Sequence, residues 1–258
     1  MAEPESKRLK TEDAPYELIY WPGLPGRGEL IRLLFVEAGV PFTDRSKDPG
    51  EAVGLVTGLM SDNGDDANPP AFAVPALRHG DLLISQTANI LLYLAPKLGL
   101  GPSEGNGVYH LNSIALTLID GFVNEIHETH HPIATSQYYA DQKEEAKKRS
   151  KAYTSERIPR FLQYAQRVID AKTSGDGPWL YGGKLTYVDL VLFQCIHGTK
   201  YAFPKAMEEM EKSGKYDGVF ALFKAVQERP NIKEYMASDK RCSYGDGIWR
   251  YYPELEEE

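Results

Sequence analysis

The sequence predicts an α/β unit followed by an all-helical one, and three observations carry that prediction. Strand signals are confined to about the first hundred of the 258 residues. Within them, a Val-Pro step, a tight turn and a second apolar run lie directly before a helix start. From about Val108 onward strand signal almost vanishes, and the remaining apolar stretches are helical candidates.

The elements follow in chain order. Glu17-Leu18-Ile19-Tyr20 reads as the first strand. Gly28 to Ala38 reads as a helix with Leu30, Ile31, Leu33 and Leu34 on its apolar side, ended by Gly39. Pro41-Phe42-Thr43-Asp44 begins a second strand. Residues 48–70 give the weakest pattern, and Ser61 to Pro70 is so dense in turn formers that it reads as a surface loop. Ala73 to Leu77 and Leu82 to Ile84 read as strands around a His79-Gly80-Asp81 turn. Pro75 cannot donate a ladder hydrogen bond, so one side of its strand is left open. A cis Val74-Pro75 bond would present the Val74 amide and carbonyl outward. Ser85 reads as a helix N-cap, with Gln86 and Thr87 in the first turn.

Pro96 to Gly107 is rich in Gly and Pro and reads as a linker. The organisation is then a disordered tail over 1–15, a first unit over 16–98, a linker over 99–107 and a helical unit over 108–258. Helices are expected over 108–127, 141–172, 186–202, 216–228 and 232–237. Thr186 and Asp189 have the spacing of a capping box at the start of the third of these.

Composition narrows the function classes. A net charge of −8 argues against nucleic-acid binding through bulk electrostatics. No apolar run approaches 18 residues, so no membrane span is expected. The first fifteen residues lack the apolar core of a secretory signal. Lys7-Arg8-Leu9-Lys10 fits a short basic import signal, but composition favours a solvated tail. Cys195 and Cys242 cannot build a disulfide framework, which points to a reducing cytoplasm. The segment around Val74 and Gln86-Thr87 offers two complementary features. One is an open backbone edge. The other is a helix N-terminus, whose exposed N–H groups and partial positive charge suit a carboxylate. A short acidic peptide such as glutathione satisfies both.

The motifs in this order resemble the soluble glutathione S-transferase family. Val74-Pro75, the hairpin and Gln86-Thr87 resemble its glutathione-binding half. Tyr16 to Trp21 and Gly26 to Leu34 resemble its first strand, catalytic loop and first helix. Gly182 to Leu190 resembles the capping segment of a central helix in its second domain, and Arg229 to Met236 its C-terminal helix. The resemblance runs from about Tyr16 to about Trp249. It implies a thioredoxin-like N-terminal domain, a C-terminal helical-bundle domain, glutathione as co-substrate without a metal, a hydrophobic electrophile as second substrate, and a homodimer.

It also implies roles for residues. Between Tyr16 and Arg32 there is no serine, threonine or cysteine, so Tyr20 is the candidate that stabilises the glutathione thiolate. Its Tyr-aromatic order resembles the tyrosine-type pi, mu and sigma classes. The Pro22-Gly23-Leu24-Pro25 loop is about one residue longer than in those classes. Glutathione would meet Val74, Pro75, Gln86 and Thr87. Arg27 pairs with a peptide carboxylate or is a solvated helix-start arginine. Lys47 reaches the glycine carboxylate or is a surface lysine. The electrophile cleft would be lined by Trp21, Ile126, His127 and the C-terminal helix. Glu125, His127, Glu128, His130 and His131 lack cysteine partners and a sustained helix, so they read as polar cleft lining or surface, with no metal. Cys195 reads as core. Two rival readings are a non-enzymatic binding or structural protein on the same fold and a narrow sigma-type isomerase. An intact Tyr20 and Gln86-Thr87 pair argues against the first.

Overall fold

The computed structural model describes residues 14–256. Most of the expected tail, including Lys7 to Lys10, and the last two glutamates of the acidic end lie outside them. The described chain begins with strand β1 (Tyr16–Ile19), helix α1 (Gly28–Ala38), strand β2 (Thr43–Asp44), helix α2 (Pro49–Ser61), strands β3 (Ala76–His79) and β4 (Leu82–Ser85), and helix α3 (Thr87–Lys97). The four strands form one mixed sheet in the order β2-β1-β3-β4. β1 runs parallel to β2, with Glu17 opposite Thr43. β3 is antiparallel to both of its neighbours, with Leu18 opposite Leu77 and Leu77 opposite Ile84.

Helices α1 and α3 cover one face of the sheet. Leu18, Leu30, Ile31, Leu34, Leu77, Ile90 and Leu94 are buried in the core between them. The other face carries a smaller cluster of Ile19, Val56 and Ala76, under α2. Sequence patterning left α2 unassigned, and its three glycines explain why: each is unfavourable in a helix interior. Its start is nevertheless built. Pro49 occupies the first turn, and the Asp48 carboxylate accepts from the Gly50 N–H at 3.2 Å.

Beyond residue 98 the regular structure is helical. Helix α4 (Asn106–Leu116) continues through a wide turn over Thr117–Val123 into α5 (Asn124–Glu128). Gly121 in that turn lies against the Phe161 ring, which a Cβ would strike. Then come α6 (Lys143–Ala152), α7 (Ile158–Ile169), α8 (Tyr187–Ala202), α9 (Pro204–Lys212), α10 (Asp217–Gln227) and α11 (Pro230–Met236). α9, absent from the sequence reading, starts on a proline at its first position.

α8 is the buried axle of this half, and it packs on α1, α4, α9 and α10. Its start is the Thr186/Asp189 pair. The Asp189 carboxylate accepts from Leu180 N at 2.8 Å and from Thr186 N at 2.6 Å. Burial nonetheless pushes the Asp189 carboxyl up to about 6, against the pull of those bonds. Gly198 leaves room inside α8 for the indole of Trp249, itself 1% exposed.

α11 ties the two halves together. Tyr235 donates from its hydroxyl to Glu29 at 3.1 Å, and Asn231 donates to the Glu37 carbonyl at 3.1 Å. Glu29 and Arg32 of α1 are buried at 0% and 1% exposure. Arg32 donates to Asp44 at 2.7 Å, to Ser46 Oγ at 2.8 Å and to the Pro25 carbonyl at 3.1 Å. Burial alone would raise the Asp44 carboxyl, but Arg32 and Ser46 outweigh it and hold it below the usual range. Arg241 adds an ion pair to Glu29 at 3.3 Å.

Candidate functional site

Backbone geometry builds the site before any side chain does. The Val74-Pro75 peptide is cis, and both residues lie outside the strand ladder, which begins at Ala76. β4 runs through Ser85. This corrects the expected N-cap: the helix starts at Thr87, and the capping position is Gln86. Gln86 has φ +72, and it is the one non-glycine among the described residues at positive φ. A glutamine held there is strained, and such strain clusters where a ligand is gripped.

Val74, Pro75, Gln86 and Thr87 line one cavity of about 520 Å³, and Arg27 lies on its wall. The opposite side is formed by Asp120 and Asn124, four residues apart along the α4–α5 rod. Arg27 donates from Nη2 to Asn124 Oδ1, while its Nη1 is buried without a partner. Thr87 is 4% exposed, and its hydroxyl oxygen is likewise buried without a partner. The cavity thus combines a helix N-terminus, a hydroxyl and a guanidinium, all with unmet capacity for an anion. Asp120 gives it one negative wall. Asp120 and Asn124 escaped the sequence reading because a helix of apolar residues carries no local mark of which polar side chain will face a neighbour.

Tyr20 lies just past β1 and is 7% exposed. Its hydroxyl oxygen accepts from the Arg27 N–H at 3.0 Å, which leaves the phenolic hydrogen free to donate. Gly26 and Gly28 lie against the ring. A Cβ at Gly28 would stand 2.8 Å from the Tyr20 ring, so only glycine permits that close approach. Arg32 fastens the Pro22–Pro25 loop through the Pro25 carbonyl and lies 5.9 Å from the Tyr20 ring centre. Burial raises the Tyr20 phenol above its ordinary value. The Arg27 N–H and the charges of Arg27 and Arg32 oppose this only in part. The phenol is therefore protonated at neutral pH, which suits a hydrogen-bond donor rather than a base.

The remaining expected residues lie elsewhere. Lys47 does not line the cavity. Its ammonium donates to the Lys240 carbonyl and lies 3.4 Å from Cys242 Sγ. Cys242, distant in sequence, is thus a neighbour of Lys47. Ile126 is 1% exposed and belongs to the hydrophobic core, because the α5 face that carries it points inward. Trp21 packs on the Ile19, Val56 and Ala76 cluster beneath the sheet. Cys195 is 1% exposed, as expected for core, and burial pushes its thiol well up.

His127 is half-buried at the end of α5 and stands with His130 and His131. Burial first, then the charges of His131, Arg27 and Arg250, lowers the His127 imidazole to about 4. Burial likewise takes His130 to about 3 and lowers His131. All three are neutral at pH 7.

Comparison with known proteins agrees with this architecture. The family model for the C-terminal domain of glutathione S-transferase matches residues 127–239. A glutathione S-transferase of Plasmodium falciparum is 25% identical over 88% of this chain and 98% of its own length. One of Dirofilaria immitis is 25% identical over 86% of this chain and 92% of its own. Among solved structures, a pi-class glutathione S-transferase of Onchocerca volvulus superposes with a TM-score of 0.64 at 19% identity, covering 86% of this chain and 91% of that one.

Proposed function

The chain belongs by sequence and fold to the glutathione S-transferase family, and from that premise we propose that it transfers glutathione to electrophilic small molecules. The observation that carries the reading is the cavity where Val74, Pro75, Gln86, Thr87 and Arg27 converge beside the buried Tyr20. Glutathione is an extended peptide with two carboxylates, one ammonium and a thiol. Its γ-glutamyl carboxylate fits the start of α3, where the Thr87 hydroxyl and the helix N–H groups are unpaired. Its ammonium suits the Asp120 wall. Its central peptide unit suits the free backbone of Val74. This threading turns the sulfur toward Tyr20, whose hydroxyl lies against the Arg27 backbone N–H and would donate to the thiolate.

The energetics are adequate. A free thiol has a pKa of about 8.5, and lowering it by roughly two units takes about 2.7 kcal/mol. One hydrogen bond to a charged group supplies about 1.5–3 kcal/mol, and a helix N-terminus about 0.3–1. The thiol proton leaves to solvent, the sulfur attacks the electrophilic carbon, and the leaving group or neighbouring atom takes up the displaced electron pair. The protein acts by holding the anion and the geometry, so no residue forms a covalent intermediate.

The reading extends to a cytoplasmic, detoxifying homodimer. Two free cysteines and the 89% exposed Phe72 at the cavity rim support it, the latter as an apolar group suited to cover by a second copy. The test is retention of the pure chain on immobilised glutathione, followed by turnover with a generic aromatic electrophile. Retention together with turnover is expected. Retention without turnover would turn the reading into a binding protein on the same fold, and loss of both would end it.

A further inference from the structure

The histidines at the end of α5 have a geometry that the transferase reading does not use. His127, His130 and His131 stand three and four residues apart around a helix terminus, a spacing that brings side chains to one side of a turn. Their ring centres lie 4.8–5.1 Å from one another. One ligand nitrogen from each lies within 4.8 Å of the others.

Their hydrogen bonds decide which nitrogens are available. His130 is 1% exposed, and its Nε2 lies 2.9 Å from the Ile248 carbonyl. A carbonyl only accepts, so Nε2 carries the hydrogen and Nδ1 the lone pair. That Nδ1 is buried with no partner. His131 places Nδ1 3.1 Å from the Gln137 carbonyl, so it donates there and keeps its lone pair on Nε2. Gln142 Nε2 lies 3.4 Å from that Nδ1, but its two amide hydrogens go to the Ala134 carbonyl at 3.0 Å and the Gln137 carbonyl at 3.1 Å. An imidazole that donates one N–H to a backbone carbonyl and presents the other nitrogen is the arrangement of a metal-bound histidine. Here two of three have it, and the most buried one has nothing else to bind.

We propose that His127, His130 and His131 form a three-histidine site for a borderline divalent transition metal, zinc being the representative, with a fourth position open to water. An all-imidazole set selects against magnesium and calcium, which need oxygen ligands. Tetrahedral zinc–nitrogen bonds of about 2.0–2.1 Å put ligand nitrogens roughly 3.4 Å apart, so the rings must draw in. His127 and His131 are half-buried and can turn to do so. Arg27 and Arg250 act on this group as positive charges and weaken the site. Glu125 and Glu128 do not offset them, because they are paired with Arg149 and Arg157. The bound ion would fasten the end of α5 to the segment around Ile248 through His130.

The test uses the full chain without a histidine tag, stripped with a chelator and titrated with zinc alone. Calorimetry should show one equivalent bound, and the melting temperature should rise with added zinc. Loss of an outer-shell partner typically costs 10–100-fold in affinity, so His127→Ala and His131→Ala should each weaken binding by at least about 100-fold. Circular dichroism checks that these half-buried variants are folded. A second measurement needs only the parent: zinc should protect His127 and His131 from acylation by diethyl pyrocarbonate, read by peptide mass. No stoichiometric binding, undiminished binding in the folded variants, or unprotected histidines would each overturn the site.

Discussion

The two ends of the candidate site are built on opposite plans. The anion end, around Gln86, Thr87 and Arg27, is an open cavity whose donors are already in place and unpaired. The end around Tyr20, where the sulfur is proposed to sit, is closed: the ring is 7% exposed and lies against Gly26 and Gly28, and Arg32 fastens the loop before them. Preorganised donors at a cavity give binding without rearrangement. A buried phenol gives a defined donor angle, at the cost of access. On the proposed reading, affinity and reactivity fall to separate elements, and each can be altered alone.

The largest expected effect comes from removing what closes the sulfur end. Arg32→Leu leaves the Asp44 carboxylate without its cation and Glu29 with Arg241 alone, and breaking a buried pair costs about 3–5 kcal/mol. Urea denaturation should show a loss of that order. A loss below about 1 kcal/mol would mean the network is not what holds the loop.

Thr87→Val tests the open end. It removes one hydroxyl and keeps the backbone donors. Glutathione affinity should fall by roughly 10- to 150-fold, corresponding to about 1.5–3 kcal/mol. The contact lies away from the sulfur, so the change should appear in binding rather than in turnover at saturation. Calorimetry reading equal affinities would move the carboxylate elsewhere.

Tyr20→Phe tests the closed end. It should leave affinity nearly intact, lower turnover by about 10- to 100-fold, and shift the pH–rate profile upward as the thiol regains its ordinary pKa. An unchanged profile removes Tyr20 from the mechanism. The smallest effect is expected for Lys47→Ala, at less than about fivefold in glutathione affinity, because Lys47 is held by the Lys240 carbonyl outside the cavity. A loss of tenfold or more would restore it to the glycine carboxylate.

Much of the site was readable locally. Val74-Pro75 and Gln86-Thr87 announce a backbone irregularity and a helix start in consecutive residues, and those effects act over a few bonds. The structure differs here by one position of register, since the strand continues through Ser85 and moves the capping position to Gln86. The loop over 62–70 was also readable, from its turn formers alone. Ile126 turns into the core and Trp21 packs on the cluster under the sheet because their placement depends on how α5 and the sheet pack, and apolar residues look alike whichever way they face. The histidine cluster carries no local signal of a metal site, because it has no cysteine partners and the helix stops at Glu128. The residues beyond it are held by the carbonyl of Gln137, six residues on, and by that of Ile248, far along the chain.

The sequence by itself determined the fold class, the order of its two halves, the helix start at Gln86-Thr87, and Tyr20 as the hydroxyl at the end of the first strand. Each follows from dihedral preference, periodicity or missing donors, which are properties of neighbouring residues. Only the tertiary structure decided that Asn124 and Asp120 face Arg27, that Lys47 is turned to the chain near Cys242, that a buried Glu29–Arg32–Asp44 chain clamps the Tyr20 loop, and that three imidazoles meet. These contacts join residues distant in sequence. Their energies depend on burial and mutual orientation, which exist only once the helices have docked.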